Sequence, residues 1–149
     1  MGIAFRPARA DDAPQLVALV EELGYPSTPA AVAARLARLL AERDQAVFVA
    51  AHEGGAEDGE LVGWVHVQEF LSLAGDPTGL VTGLVVARAA RRGGIGRSLM
   101  AAAEDWARAR GLAAMRLRSR VSRADAHAFY RRLGYAVAKQ QLQFRKSLR

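Results

Sequence analysis

The chain has 149 residues, 51% of them apolar and none a cysteine, which excludes disulfides, thiolate metal sites and a Cys nucleophile and fits one domain over residues 1–149. No apolar leader opens it, and no stretch approaches the roughly 18 uninterrupted apolar residues of a membrane span, so it reads as a cytoplasmic protein with no membrane partner. Its net charge of +6 is divided by sign: residues 1–76 carry 5 Arg against 12 Asp and Glu, whereas residues 77–149 carry 16 Lys and Arg against 3 acids. Such a division suits one cationic and one polyanionic ligand better than a uniform polyanion.

Residues 3–6 read as a short strand. Asp11 or Asp12 can cap a helix that carries Leu16, Leu19, Val20 and Leu23 at helical spacing until Gly24 stops it. Thr28 followed by Pro29 opens a second helix with Val32, Leu36, Leu39 and Leu40 on one face. Strands are predicted over 46–51 and 60–70, joined by a polar, glycine-rich turn, and a third over 79–86. A long helix runs from about Gly94 to Arg110 and closes at Gly111; a strand over 113–119, a helix over 125–133 and a final strand over 135–146 complete the chain. The order β-α-α-β-β-β-α-β-α-β predicts an α/β fold, a mixed sheet with helices on both faces.

The segment 84–99 carries the most chemistry, because an apolar strand runs into a glycine-rich loop and then into a helix. Unpartnered N–H groups at a helix start, at the positive end of the helix dipole, bind phosphate oxygens, and glycines let the phosphates approach. A nucleotide P-loop would need Lys before Ser98, where Arg97 stands. A dinucleotide fingerprint would need a small residue at Leu99 and an acid about 20 positions further on, where Arg116, Arg118 and Arg120 stand instead. Neither pattern fits.

The run Arg91, Arg92, Gly93, Gly94, Ile95, Gly96 resembles the Arg/Gln-x-x-Gly-x-Gly/Ala signature of the GNAT superfamily of N-acetyltransferases. Some 30 residues on, Ala126, Phe129, Tyr130, Gly134 and Tyr135 resemble its Ala-x-x-Phe-Tyr-x-x-x-Gly-Phe/Tyr segment. The resemblance implies a central, mostly antiparallel sheet and acetyl-CoA as co-substrate, with no metal. It implies that Leu84, Val85 and Val86 pair with the pantetheine amides, and that Arg91, Arg92, Gly93, Gly94, Ile95, Gly96, Arg97 and Ser98 surround the pyrophosphate. It also implies that Tyr130 protonates the leaving sulfur; transfer from a phenol of pKa about 10 to a thiolate whose thiol has pKa about 8.5 can be managed by a positioned acid. The backbone N–H of Val86 or a neighbour is the natural oxyanion donor.

An alkylammonium of pKa about 10.4 is neutral only about 0.04% of the time at pH 7, a penalty of about 4.6 kcal/mol unless the site manages the proton. Many family members carry a glutamate on the strand before the glycine loop, but residues 79–83 contain no acid. Glu69 and His66, on the preceding strand, are the replacement bases, acting directly or through water. Arg123 stands where the second motif often has asparagine and receives no role.

Two other classes compete. Alternating Arg116, Arg118 and Arg120 could line a nucleic-acid site, but no aromatic residue interleaves with them and the acidic first half would repel phosphate; no nucleic-acid partner is expected. A GNAT-fold protein that binds acetyl-CoA without catalysis is the second alternative. The acceptor expected from the acidic half is a primary amine of a cationic molecule. Oligomeric state stays open, a homodimer being common among lookalikes.

Overall fold

A computed structural model describes residues 2–149. They form two compact units, one ending at Leu117 and one over Arg118–Arg149.

The first unit is built on a five-stranded sheet of order β1-β2-β3-β4-β5, with β1 Gly2–Pro7, β2 Gln45–Glu53, β3 Leu61–Ser72, β4 Gly75–Val86 and β5 Met115–Leu117. Three antiparallel pairings are followed by one parallel pairing, β4 with β5. The mostly antiparallel mixed sheet is therefore the one expected. Gly54, Gly55 and Gly59 take positive φ in the turn between β2 and β3, the conformation that a chain reversal of this kind demands.

Helix α1 (Ala13–Glu21) follows a single 3-10 turn at Ala10–Asp12, and α2 spans Pro29–Ala41. Thr28 Oγ1 accepts from the Ala31 N–H at 3.1 Å, so the cap precedes the proline as the sequence suggests. Asp12, the one buried acid among the described residues, takes two 2.8 Å bonds from the Arg6 guanidinium and a 2.7 Å bond from the Arg9 N–H. Leu16, Leu19, Val32 and Leu36 pack against Val47, Val49, Trp64 and Val85, side chains that the strand register places on one sheet face.

The opposite face is covered by α3 (Ile95–Ala109), whose Ile95, Leu99, Met100, Ala103 and Ala107 are buried. The helix lies close on glycine: a Cβ at Gly63 would stand 3.1 Å from Leu99 Cδ1 and only 2.8 Å from the Val85 carbonyl oxygen. Helices on both faces are thus present within this unit.

The second unit contains α4, Ala124–Arg132. His127 Nε2 donates to the Arg120 carbonyl at 2.8 Å, tying the start of this helix to the segment before it. The strand expected over 113–119 is only three residues long, and the one expected over 135–146 does not form; no regular element follows α4 among the described residues. Val137, Leu142 and Phe144 supply strand-like residues, yet they lie exposed. A strand exists only with a partner ladder, and this unit contains no other strand to supply one.

Candidate active site

Strand β4 loses its neighbour before it ends. Its parallel pairing with β5 covers Gly79, Leu80 and Val81 and stops at Val81 opposite Leu117, five residues short of Val86. Amide direction along the free stretch follows from the ladder: the Ala87 N–H donates to Val62 of β3 at 2.7 Å. Alternation then turns the Leu84 and Val86 N–H groups the other way, toward the side that β5 has left. These two amides are the donors a pantetheine chain or an oxyanion would meet.

Past Val86 the backbone makes a 3-10 turn at Arg88–Ala90 and enters the glycine loop. Arg92 takes φ 71° and Gly94 φ 79°, both left-handed, with Gly93 between them outside that region. Such alternation gathers successive N–H groups into a concave anion-binding nest, and it lies here at the start of the fifteen-residue α3. A Cβ at Gly94 would meet nothing within 4 Å. Space over the loop is open, so glycine is required there by conformation rather than by crowding.

The loop side chains divide. Arg91 is turned back on the fold: its Nε donates to the Val86 carbonyl at 3.2 Å and its Nη2 lies 3.6 Å from Glu22. Arg92, Gly93, Gly94 and Arg97 are exposed, Gly96 and Ser98 half-buried, and Ile95 is buried against Gly63 as the anchor of the helix entry. Leu84 and Val86 are partly exposed, while Val85 is buried toward α1 and α2.

The two candidate bases lie on opposite faces of β3. Glu69 faces α3 and accepts from Arg110 Nη2 at 3.3 Å, the same guanidinium that stacks 4.7 Å over the Trp106 ring. His66 faces α1 and α2, where it lines a cavity of about 170 Å3 with Leu16, Val32, Leu36, Arg35 and Trp64 among its walls. Its Nε2 lies 2.6 Å from Gln45 Oε1 and its Nδ1 lies 2.6 Å from Thr82 Oγ1. Burial lowers the His66 pKa from its ordinary value, so the imidazole is neutral at pH 7.

In the second unit Tyr130 is half-buried on α4, edge-on to Phe129 at 5.1 Å and to Tyr135 at 6.1 Å. Burial raises its pKa against the opposing pull of Arg123, so it stays a phenol with a proton to give. Among the described residues no group of three or more His, Asp or Glu is placed to hold a metal ion, and no helix is long and apolar enough to cross a membrane.

A free-edged strand leading into a phosphate nest at a helix start defines a protein that can hold an acyl-CoA. The sequence model of the Acetyltransferase (GNAT) family matches residues 14–135. An aminoglycoside N(6')-acetyltransferase type 1 from Stenotrophomonas maltophilia is 32% identical over 117 residues, covering 76% of this chain and 74% of that protein. Among solved structures, AAC(6')-Iy in complex with the bisubstrate analog CoA-S-monomethyl-acetylneamine superposes with a TM-score of 0.85 at 18% identity over 99% of each chain. AAC(6')-Ih from Acinetobacter baumannii does so with a TM-score of 0.82 at 16% identity, again over 99% of each. The chain belongs to the GNAT family of N-acetyltransferases, enzymes that use acetyl-CoA.

Thr82 and Gln45 carry no sequence signal of their own. Thr82 stands in the stretch where the usual glutamate is absent, and only the folded strand shows that its hydroxyl meets His66. The separation of Glu69 from His66 did have a signal: an odd spacing of three residues on one strand puts two side chains on opposite faces.

Proposed function

We propose that the chain, acting as one domain over residues 1–149, transfers the acetyl group of acetyl-CoA to a primary amine of a cationic small molecule, with an aminoglycoside as the leading candidate. The observation that carries the CoA part is the β4 edge, bare of β5 after Val81 and continuous with the nest at Arg92–Gly94. Pantetheine carries peptide-like amides, which the Leu84 and Val86 backbone can bind as an added strand would. The pyrophosphate belongs over Gly93, Gly94, Ile95 and Gly96, with Arg92, Arg97 and Ser98 beside it.

Chemistry follows from the same chain. An N–H of Leu84 or Val86 stabilises the oxyanion, His66 is the base and Tyr130 the acid that protonates the sulfur. Glu69 remains the second base candidate by its strand, but its ion pair with Arg110 on the α3 face gives it a structural occupation. The acceptor class is supported by the acidic first half and by the S. maltophilia relative, an enzyme named for aminoglycosides. A cytoplasmic location, no resident metal and no nucleic-acid or membrane partner complete the reading.

The test is release of free thiol from acetyl-CoA with a panel of aminoglycosides, polyamines and lysine peptides. Turnover with an aminoglycoside at a rate well above the other amines is expected. Acetyl-CoA binding with no turnover of any amine would make the chain a binder instead, and turnover confined to lysine peptides would replace the acceptor class.

A further inference from the structure

On β4 the ladder slips by one residue: Gly83 faces His66 and Val81 faces Val67, so Thr82 is the extra residue of a β-bulge. A bulge re-aims one side chain. Here it turns the Thr82 hydroxyl to the His66 side of the sheet, where Oγ1 stands 2.6 Å from Nδ1 and 3.4 Å from the His66 carbonyl oxygen.

The partners fix who donates. Gln45 Oε1 can only accept, so His66 Nε2 carries the ring proton and Nδ1 holds the lone pair. Thr82 must then donate to Nδ1, leaving its own oxygen lone pairs as acceptors. Thr82 is exposed while His66 is only half-buried in the cavity wall, so an incoming amine meets the more accessible hydroxyl first. Thr82 also lies two and four residues before Leu84 and Val86 on the same strand, about 7 and 13 Å at a strand rise of about 3.3 Å per residue.

We propose that the Thr82 hydroxyl is a catalytic residue of the acetyl transfer, taking the proton of the attacking amine and passing its own to His66 Nδ1. This rests on the acetyltransferase reading above and supplies the base that residues 79–83 lack. The acceptor ammonium first releases one proton to solvent; as its neutral nitrogen then bonds to the thioester carbon, one remaining N–H proton moves to Thr82 Oγ1 and the Thr82 proton moves to Nδ1. The C–S bond breaks, the sulfur takes a proton from the general acid, and that acid recovers one from solvent. His66 ends as an imidazolium held by Gln45 and returns its proton to solvent by the same path. Among the described residues the charged side chain lining the same cavity is Arg35 of α2, whose Nη1 donates to Ser27 Oγ at 3.0 Å; the lining from α1 and β2 is apolar, Leu16, Val20 and Val47, and Gln45 of β2 meets the ring at Nε2. Burial opposes the imidazolium, so the resting ring is neutral.

The experiment compares Thr82→Val, Thr82→Ser, His66→Gln and the double variant Thr82→Val with His66→Gln, using the best acceptor from the amine panel and following thiol release against pH. Expected are a roughly 100-fold fall in kcat for Thr82→Val, recovery to within about threefold for Thr82→Ser, and a double variant no slower than either single one, as groups acting in one chain require. The wild-type kcat falls as pH drops through a pKa below 6.5, and this limb disappears from Thr82→Val. Acetyl-CoA still raises the melting temperature of each variant, which shows that all are folded; Thr82→Ala replaces Thr82→Val, and His66→Ala replaces His66→Gln, where either is not. Thr82→Val with full kcat while His66→Gln is slow overturns the relay and leaves His66 as a base by another route. Full kcat in both removes His66 as well, with acetyl transfer itself intact. A wild-type chain that turns over no amine overturns the acetyltransferase reading and the relay together.

Discussion

A phenol ordinarily loses its proton near pH 10, and burial on α4 pushes the Tyr130 value higher, with Arg123 opposing it. The shift keeps the phenol protonated but makes it a weaker acid, so transfer to a thiolate depends on the hydroxyl being positioned against the sulfur. Phenylalanine keeps the ring and its edge contacts with Phe129 and Tyr135 while deleting the hydroxyl. Tyr130→Phe is therefore expected to lower kcat by about 100-fold to 10,000-fold with little change in acceptor KM, and less so for an acyl donor with a more acidic thiol. Steady-state thiol release with the two donors measures both effects; an unchanged kcat with chemistry limiting makes Tyr130 structural.

Two other residues set the response to acid. Arg6 hydrogen bonds hold the Asp12 carboxyl below its ordinary pKa, so the native state binds this proton less readily than the unfolded chain does. Its stabilising contribution is whole above about pH 4 and disappears as pH falls through the folded value. His66, lowered by burial, acts in a different window: below about pH 6.5 the unfolded imidazole charges first, and stability declines until the folded ring also protonates. Melting temperature should thus fall in two stages on acidification. Asp12→Asn, which leaves the Arg6 guanidinium without its carboxylate, should cost about 1–3 kcal/mol at pH 7 and flatten the lower stage while sparing the upper one, as chemical denaturation across pH would show.

At the scale of elements, close approach decides which positions tolerate change. On β4 the Trp64 indole lies over Gly83, where a Cβ would stand 2.5 Å from Cη2 and 2.7 Å from Cζ3. Trp64 is buried in the wall of the His66 cavity, so the strain could be relieved only by a shift of the indole toward that cavity. Gly83→Ala should destabilise by about 1–3 kcal/mol and slow turnover by disturbing Thr82 next to it, read by denaturation and kcat together; an unchanged stability would mean that the indole has room to shift. None of this packing was legible in the sequence, because contact between Trp64 and Gly83 depends on the pairing of β3 with β4. What was legible rests on local rules. Apolar spacing located α1, α2 and α3, Thr28 and Pro29 located a helix start, and the glycines after Val86 located the loop. Pairing, by contrast, is a property of two segments: the bulge at Thr82, the three-residue length of β5 and the unformed strand over 135–146 all turn on partners that the segment itself does not encode.

For the whole molecule, the proposed phosphate site at the start of α3 would tie ligand binding to stability. A ligand that binds the native chain and not the unfolded one stabilises it, so acetyl-CoA at one hundred times its dissociation constant is expected to stabilise by about 2.7 kcal/mol. For a chain of this size that is a rise in melting temperature of roughly 5–11 °C. Gly94 isolates the contribution of the nest because its φ of 79° and the open space above it separate two effects of substitution. Asparagine tolerates the left-handed region and carries no charge, so Gly94→Asn should lower the apo melting temperature slightly and keep most of the ligand shift. Glutamate adds backbone strain of about 1–2 kcal/mol and a negative charge beside the bound phosphates. Gly94→Glu should therefore melt lower without ligand and gain almost nothing from acetyl-CoA. Scanning calorimetry of the three proteins, with and without ligand, reads both quantities at once. An undiminished ligand shift in Gly94→Glu would move the pyrophosphate away from the start of α3, since a like charge in that concavity cannot be neutral to a polyanion bound there.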